Sequence, residues 1–166
     1  NNGEDSSGST GNVYENFGFG AIDKYNKVAW WSSGEVVDWP ASYSNSYIKP
    51  DFSAPGVSIY SCLPSGEWQY WSGTSMAAPH VAGTVALMLD ADPNMTVDNV
   101  YDLLKITADD LGEAGKDARF GWGVIDAYAA VELAYLNCGV EGYVKDAETS
   151  EPIKWGAQVT VLEVSW

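Results

Sequence analysis

The run Gly73-Thr74-Ser75-Met76-Ala77-Ala78-Pro79-His80-Val81-Ala82-Gly83 constrains this chain more than any other segment, because it delivers one serine to the mouth of an apolar helix. Small residues crowd around Ser75 and leave room for another backbone to approach. The helix runs on through Val85, Leu87, Met88 and Leu89, so its amide dipoles are aimed at the serine. Pro79 has no amide hydrogen, so the Ser75 carbonyl cannot receive the usual helical bond and an irregular first turn is expected. Two readings fit a serine in this place. It caps a core helix, or it is a nucleophile whose reaction centre is served by the helix end.

Other segments narrow the choice. Upstream stand Lys49-Pro50-Asp51-Phe52-Ser53-Ala54-Pro55-Gly56-Val57-Ser58-Ile59, then earlier Tyr14 to Asp23 and Ala29 to Ser33; downstream stands Gly121-Trp122-Gly123-Val124-Ile125-Asp126-Ala127. Together with the Gly73–Gly83 run, these segments resemble, in order, the subtilisin-like serine peptidases (subtilases). The resemblance implies an α/β fold, in which residues 1–137 form the carboxy-terminal part of a subtilisin-like parallel-sheet domain. It also implies an endopeptidase that cleaves peptide bonds through an acyl-enzyme on Ser75, with protein or peptide as substrate and no cofactor for catalysis.

In that family a histidine takes the serine proton and an aspartate orients the imidazole. The family's segments that carry them belong upstream of residue 1, so the 166 residues alone are expected to be inactive. His80, the single histidine, is not assigned as the base. It lies five positions along the same helix, more than a full turn deeper than Ser75, and in the resembling motif it is structural. Acyl transfer also needs a side-chain amide donor beside the serine amide. Asn1-Asn2-Gly3 is similar to the end of the family's Ala-Ala-Gly-Asn-x-Gly loop, which would make Asn1 the oxyanion donor and set Asn2 beside the substrate pocket; the same three residues also read as an ordinary turn.

Composition bounds the partners. There are 23 acidic residues against 8 basic ones, for a formal charge of −15, and such a surface repels nucleic acid and anionic membranes. No apolar run is long enough to span a bilayer. An extracellular setting, secreted or at the cell surface, is expected. Cys62 and Cys138 either pair or remain two free thiols. No Cys-x-x-Cys or His-x-x-His spacing suggests zinc. Asp109, Asp110 and Asp117 fall in one loop, which is either a solvated acidic turn or the place of a structural calcium of the kind subtilases often bind. Trp30, Trp31, Trp39, Trp68 and Trp71 make the middle of the chain aromatic, and these rings either line a substrate cleft or pack inside. Tyr70 and Trp71, just before the nucleophile segment, are the candidates for substrate contact.

Periodicity predicts helices from Ser75 to about Ala91, from Thr96 to about Ile106 and from Ile125 to about Leu136, with strands near Asn16 to Ile22 and Val57 to Cys62. Asp92-Pro93 stops the first helix and Thr96 caps the second. Gly121 and Gly123 are expected to allow close backbone packing. After Cys138 the pattern changes to alternation through Val140, Gly142 and Val144, a turn from Asp146 to Pro152, and alternation through Ala157, Val159 and Val161. This stretch, residues 138–166, resembles the opening of a carboxypeptidase regulatory-like β-sandwich domain, and two strands of it would be an incomplete domain. A noncatalytic binding or adhesion protein on a subtilase-like scaffold is the rival reading. An α/β-hydrolase is disfavoured, since Gly73-Thr74-Ser75-Met76-Ala77 lacks the second glycine of a Gly-x-Ser-x-Gly elbow.

Overall fold

A computed structural model describes residues 15–37 and 46–136. Asn1, Asn2, Trp39, Cys138 and the whole 138–166 segment lie outside them.

In chain order the elements are β1 (Phe19–Ile22), β2 (Glu35–Val37), β3 (Tyr47–Lys49), β4 (Phe52–Pro55), β5 (Ile59–Cys62), β6 (Trp68–Trp71), α1 (Thr74–Ala91), α2 (Val97–Thr107) and α3 (Ala127–Leu136). The strands make three pairs. β1 and β4 are parallel, with Phe19 opposite Phe52 and Ile22 opposite Pro55. β2 and β3 are antiparallel, as are β5 and β6. An isolated parallel bridge from Ser53 to Val124 continues the central pair on the far side of β4.

The central pair is buried as a parallel sheet must be. Ala21, Phe52, Ser53 and Ala54 are wholly enclosed. Helix α1 lies against β1, β4 and α3. It does so through Ala77, Val81, Thr84 and Met88, whose spacing of about one turn makes a single buried stripe. Helix α2 adds Val100, Leu103 and Leu104 to the same core. An aromatic cluster of Phe17, Phe19, Phe52 and Tyr101 closes one end, with ring centroids 5.3 to 6.5 Å apart and edges turned to faces.

Element boundaries follow local hydrogen bonding. Helix α2 begins where expected: Thr96 accepts from the Asn99 amide, and the Asn99 side chain accepts from the Thr96 amide, a reciprocal cap. Helix α1 ends at Ala91, with Asp92 as its C-cap, before Pro93. Strand β1 starts at Phe19 rather than Asn16, because the Gly18 amide is taken by the Asp51 carboxylate and the Gly18 carbonyl by the Asp51 amide. Strand β5 starts at Ile59 rather than Val57, since Ser58 turns at a φ of 55° and gives its amide to the Ser72 hydroxyl. Helix α3 starts two residues later than its apolar pattern suggests. The Ile125 amide bonds the Ser53 carbonyl as an extended strand residue, and Asp126 then receives the Ala129 amide.

Two glycines hold the closing segment against the core. A side-chain carbon on Gly121, at a φ of 71°, would stand 2.3 Å from the Asp51 carbonyl oxygen, and one on Gly123 would stand 2.2 Å from that of Asp109. Only glycine fits either place, as the sequence led us to expect.

Candidate active site

The Gly73–Gly83 segment is positioned by β4 and by the β5–β6 hairpin. Beyond β4 the chain passes Gly56, whose carbonyl receives the Gly73 amide at 2.8 Å. A methyl group at Gly56 would stand 2.6 Å from the Ala21 side chain and 2.8 Å from the Gly73 carbonyl oxygen, so backbone meets backbone here without a spacer. The Ser58 amide bonds the Ser72 hydroxyl at 2.8 Å, tying the hairpin base to the residue before Gly73. These two contacts fix the point at which α1 begins.

Gly73 caps α1 with no side-chain bond, and the Met76 amide reaches back to the Gly73 carbonyl at 3.0 Å, a tightened first turn. Ser75 is therefore the second residue of the helix rather than its cap, which removes the purely capping explanation of this serine. It is exposed, and among the described residues its hydroxyl has no hydrogen-bond partner. Its amide sits in the turn whose donors have no intrahelical acceptor. Pro79 lies within the helix, which continues through it; the Ser75 carbonyl is left without its usual donor, as Pro79 requires. A hydroxyl, an amide donor and a converging helix dipole thus meet at one exposed point.

His80 is occupied elsewhere. Its Nδ1 stands 2.8 Å from the Met76 carbonyl oxygen, a geometry in which the ring nitrogen carries the proton and the carbonyl accepts. The imidazole lies back along its own helix, and among the described residues no hydrogen bond joins it to Ser75. The Thr84 hydroxyl donates to the His80 carbonyl at 3.0 Å, which secures the same helical turn.

The aromatic residues divide. Trp31 packs against the core. Trp30, Trp68 and Trp71 are exposed, as are Tyr60 and Tyr70, so most of the described aromatic middle is surface rather than interior. Tyr70 and Trp71 sit on β6, four or five residues ahead of Ser75, and alternate faces of the hairpin. The Trp71 indole donates to the Gln69 side chain at 3.3 Å on one face. Tyr70 pairs with Tyr60 across the other, their ring centroids 4.7 Å apart. The hairpin had a sequence signal in Leu63-Pro64-Ser65-Gly66, a turn closed by the Gly66 amide on the Leu63 carbonyl at 2.9 Å with Gly66 at a φ of 84°. Cys62, on β5, is exposed.

A charged hub that the sequence did not reveal lies on the other side of β4. The Asp51 carboxylate, nearly sealed from solvent, takes Lys49 at 2.5 Å on one oxygen and Lys116 at 2.7 Å on the other. Lys49 also donates to the Asn16 carbonyl, and the Tyr101 hydroxyl receives the Trp122 indole at 2.8 Å beside the same group. These residues are drawn from four separate stretches, and only the Lys49-Pro50-Asp51 motif hinted at them. Asn16, Lys49, Asp51, Tyr101 and Lys116 line a cavity of about 460 Å³ together with Glu15, Tyr47 and Asp98. Burial, with the carboxylates of Glu15, Asp51 and Glu35, pushes the Tyr47 phenol above its ordinary pKa.

In the acidic loop the carboxylates serve the backbone. Asp117 receives the amides of Glu113, Arg119 and Phe120, and Asp110 receives that of Gly115. Among the described residues no group of three or more His, Cys, Asp or Glu side chains stands close enough to hold a metal ion, and no helix is long and apolar enough to cross a membrane.

Known proteins resemble this chain. The family described as the subtilase family matches residues 1–123. Bacillopeptidase F of Bacillus subtilis (strain 168) is 35% identical over 148 residues, which cover 85% of this chain and 10% of that protein. Subtilisin of Bacillus pumilus is 40% identical over 129 residues, covering 78% of this chain and 44% of the relative. Among solved structures, the CspB protease of Clostridium perfringens superposes with a TM-score of 0.69 at 28% identity, covering 79% of this chain and 29% of that one. The chain thus spans less than half the length of each of these relatives. With an α/β core, a parallel strand pair and a helix-borne serine in the matched segment, the chain belongs to the subtilase family.

Proposed function

We infer that the protein is a serine endopeptidase acting on protein or peptide substrates, with Ser75 as its nucleophile. The observation that carries this reading is the exposed Ser75 hydroxyl at the second position of α1, beside an amide that has no helical acceptor. In the reaction an imidazole takes the Ser75 proton as Oγ bonds the scissile carbonyl carbon. The resulting oxyanion is held by the Ser75 amide and by Asn1. The C–N bond breaks as the imidazolium returns the proton to the leaving amine, and water then hydrolyses the ester. His80 is the single histidine in the sequence and is bound to Met76, so the imidazole and its orienting aspartate come from polypeptide outside these residues, and the 166 residues alone are inactive.

Asn2, Tyr70 and Trp71 are assigned to substrate contact, the last two because β6 runs directly into the nucleophile turn. No cofactor takes part in catalysis. Structural calcium bound by the intact protein, an extracellular location and a β-sandwich module from residue 138 belong to the same proposal. The acid-rich surface supports the location by disfavouring nucleic acid and anionic membranes as partners.

The test is pre-steady-state hydrolysis of a p-nitrophenyl ester by the protein expressed from its whole reading frame. A burst of p-nitrophenolate equal to the enzyme concentration, with peptide amides also cleaved, is expected. A folded protein that gives neither burst nor amide cleavage is the noncatalytic scaffold of the rival reading, and ester turnover without amide cleavage is another class of hydrolase.

A further inference from the structure

The β5–β6 hairpin presents a bare aromatic row. Tyr60, Trp68 and Tyr70 share one face, with Tyr60 between the other two: its ring centroid is 4.7 Å from that of Tyr70 and 5.4 Å from that of Trp68, at tilts of 35° and 33°. Each keeps more than half of its surface in solvent, at 55, 57 and 68% in sequence order. Because the rings stack on one another, the outer faces of Trp68 and Tyr70 are what the row offers to a partner.

Elsewhere in the molecule aromatic faces already hold cations. Lys24 sits 4.9 Å above Tyr25, Lys49 5.8 Å above Tyr47, and Lys105 4.1 Å above Trp122. Among the described residues no lysine or arginine is so placed over the hairpin rings. None is near in sequence either: residues 50–104 contain no Lys or Arg and six carboxylates, within a chain of charge −15. A row of electron-rich faces in an acidic field attracts cations that the protein itself does not supply.

We propose that Tyr60, Trp68 and Tyr70 form a secondary recognition surface for lysine- and arginine-bearing stretches of the polypeptide substrate. Tyr60 stands on β5, and Trp68 and Tyr70 on β6, the strand that runs into the start of α1 and Ser75; in this proposal an extended substrate seated at Ser75 continues along the hairpin. This rests on the peptidase reading and names the substrates it favours: cationic, extended polypeptide. Long-range attraction to the acidic surface and stacking of guanidinium on Trp68 then act together. The first weakens with salt and the second persists.

The experiment uses the protein expressed from its whole reading frame and internally quenched peptides that share one cleavable core. Three Arg, three Gln or three Glu residues are placed on one side of the core or the other. The expected order of kcat/KM is Arg above Gln above Glu. The Arg-to-Gln ratio, for the better placement of the run, is expected to fall by about threefold to thirtyfold in Trp68→Leu, which keeps apolar bulk but removes the electron-rich face. Tyr60→Leu, which removes the ring that props the row, is expected to lower it less. Each ratio is taken on one preparation, so it does not depend on the fraction folded. An Arg-to-Gln ratio unchanged in both variants overturns the proposal, because the preference would then come from overall charge alone. Failure of wild-type protein to cleave even the Gln peptide would instead strike the peptidase reading.

Discussion

The turn before β4 and the turn after it serve the same four-residue strand, yet they treat polar groups in opposite ways. Before the strand, Lys49 and Asp51 are buried and matched, with Lys116, the Tyr101 hydroxyl and the Gly18 amide also on the carboxylate. After it, Ser75 and the hairpin rings are exposed, and the hydroxyl is without a partner among the described residues. Leaving a buried charge unpaired is expensive, so the first turn is satisfied internally and works as a clamp. Exposed groups carry no such penalty, and in the proposed function Ser75 and the hairpin rings meet the substrate. Changes in one turn should therefore alter stability, and changes in the other should alter turnover.

The sharpest separation is expected at Ser75. Ser75→Ala should lower kcat of the intact enzyme by about 10⁶-fold, the loss that removing the nucleophile causes in subtilisin itself. Its unfolding midpoint in guanidinium should not move. A large shift in that midpoint would mean that the hydroxyl has a structural role the fold does not show. Asp51→Asn is the mirror case. It leaves two lysines without their carboxylate, one of them nearly sealed from water, and should cost about 3–5 kcal/mol in chemical denaturation. Turnover per folded molecule should stay close to wild type.

Much of this contrast was legible before any coordinates, and some was not. Helix α1 is readable from the apolar run Val85, Leu87, Met88 and Leu89 and its Asp92-Pro93 stop, although Leu87 and Leu89 face solvent, and α2 from its Thr96 cap. The ends of β1, β5 and α3 were misplaced by two or three residues, each time because a distant backbone partner fixed the boundary: Asp51 for Gly18, Ser72 for Ser58, Ser53 for Ile125. The hub was hidden for the same reason. Lys116 lies 65 residues from Asp51, and no periodicity links such positions. Short strands β2 and β3 gave no alternation long enough to read. The candidate nucleophile, Ser75, could be named from sequence because the residues that suggest it stand in one contiguous run, Gly73 to Gly83.

Gly56, directly after β4, packs between Ala21 of β1 and the Gly73 backbone and should show both effects. Gly56→Ala drives a methyl group into the Ala21 side chain and the Gly73 carbonyl, so a loss of about 1–3 kcal/mol in stability is expected. The shift of Gly73 should also slow acylation of Ser75, seen as a smaller burst rate constant with a p-nitrophenyl ester. A stability loss with an unchanged burst would show that the β4 turn does not set the nucleophile's position. Thr96→Ala, remote from both turns, should cost about 1 kcal/mol through the lost cap and leave kcat/KM unchanged.

The central claim is that Ser75 is a nucleophile activated by groups from outside these 166 residues, and the direct measurement is fluorophosphonate labelling followed by peptide mapping. The account predicts rapid phosphonylation of Ser75 in the protein expressed from its whole reading frame, and none in residues 1–166 expressed alone. Labelling of the short form at a comparable rate, or a proteolytically active long form whose adduct sits on another residue, would contradict it.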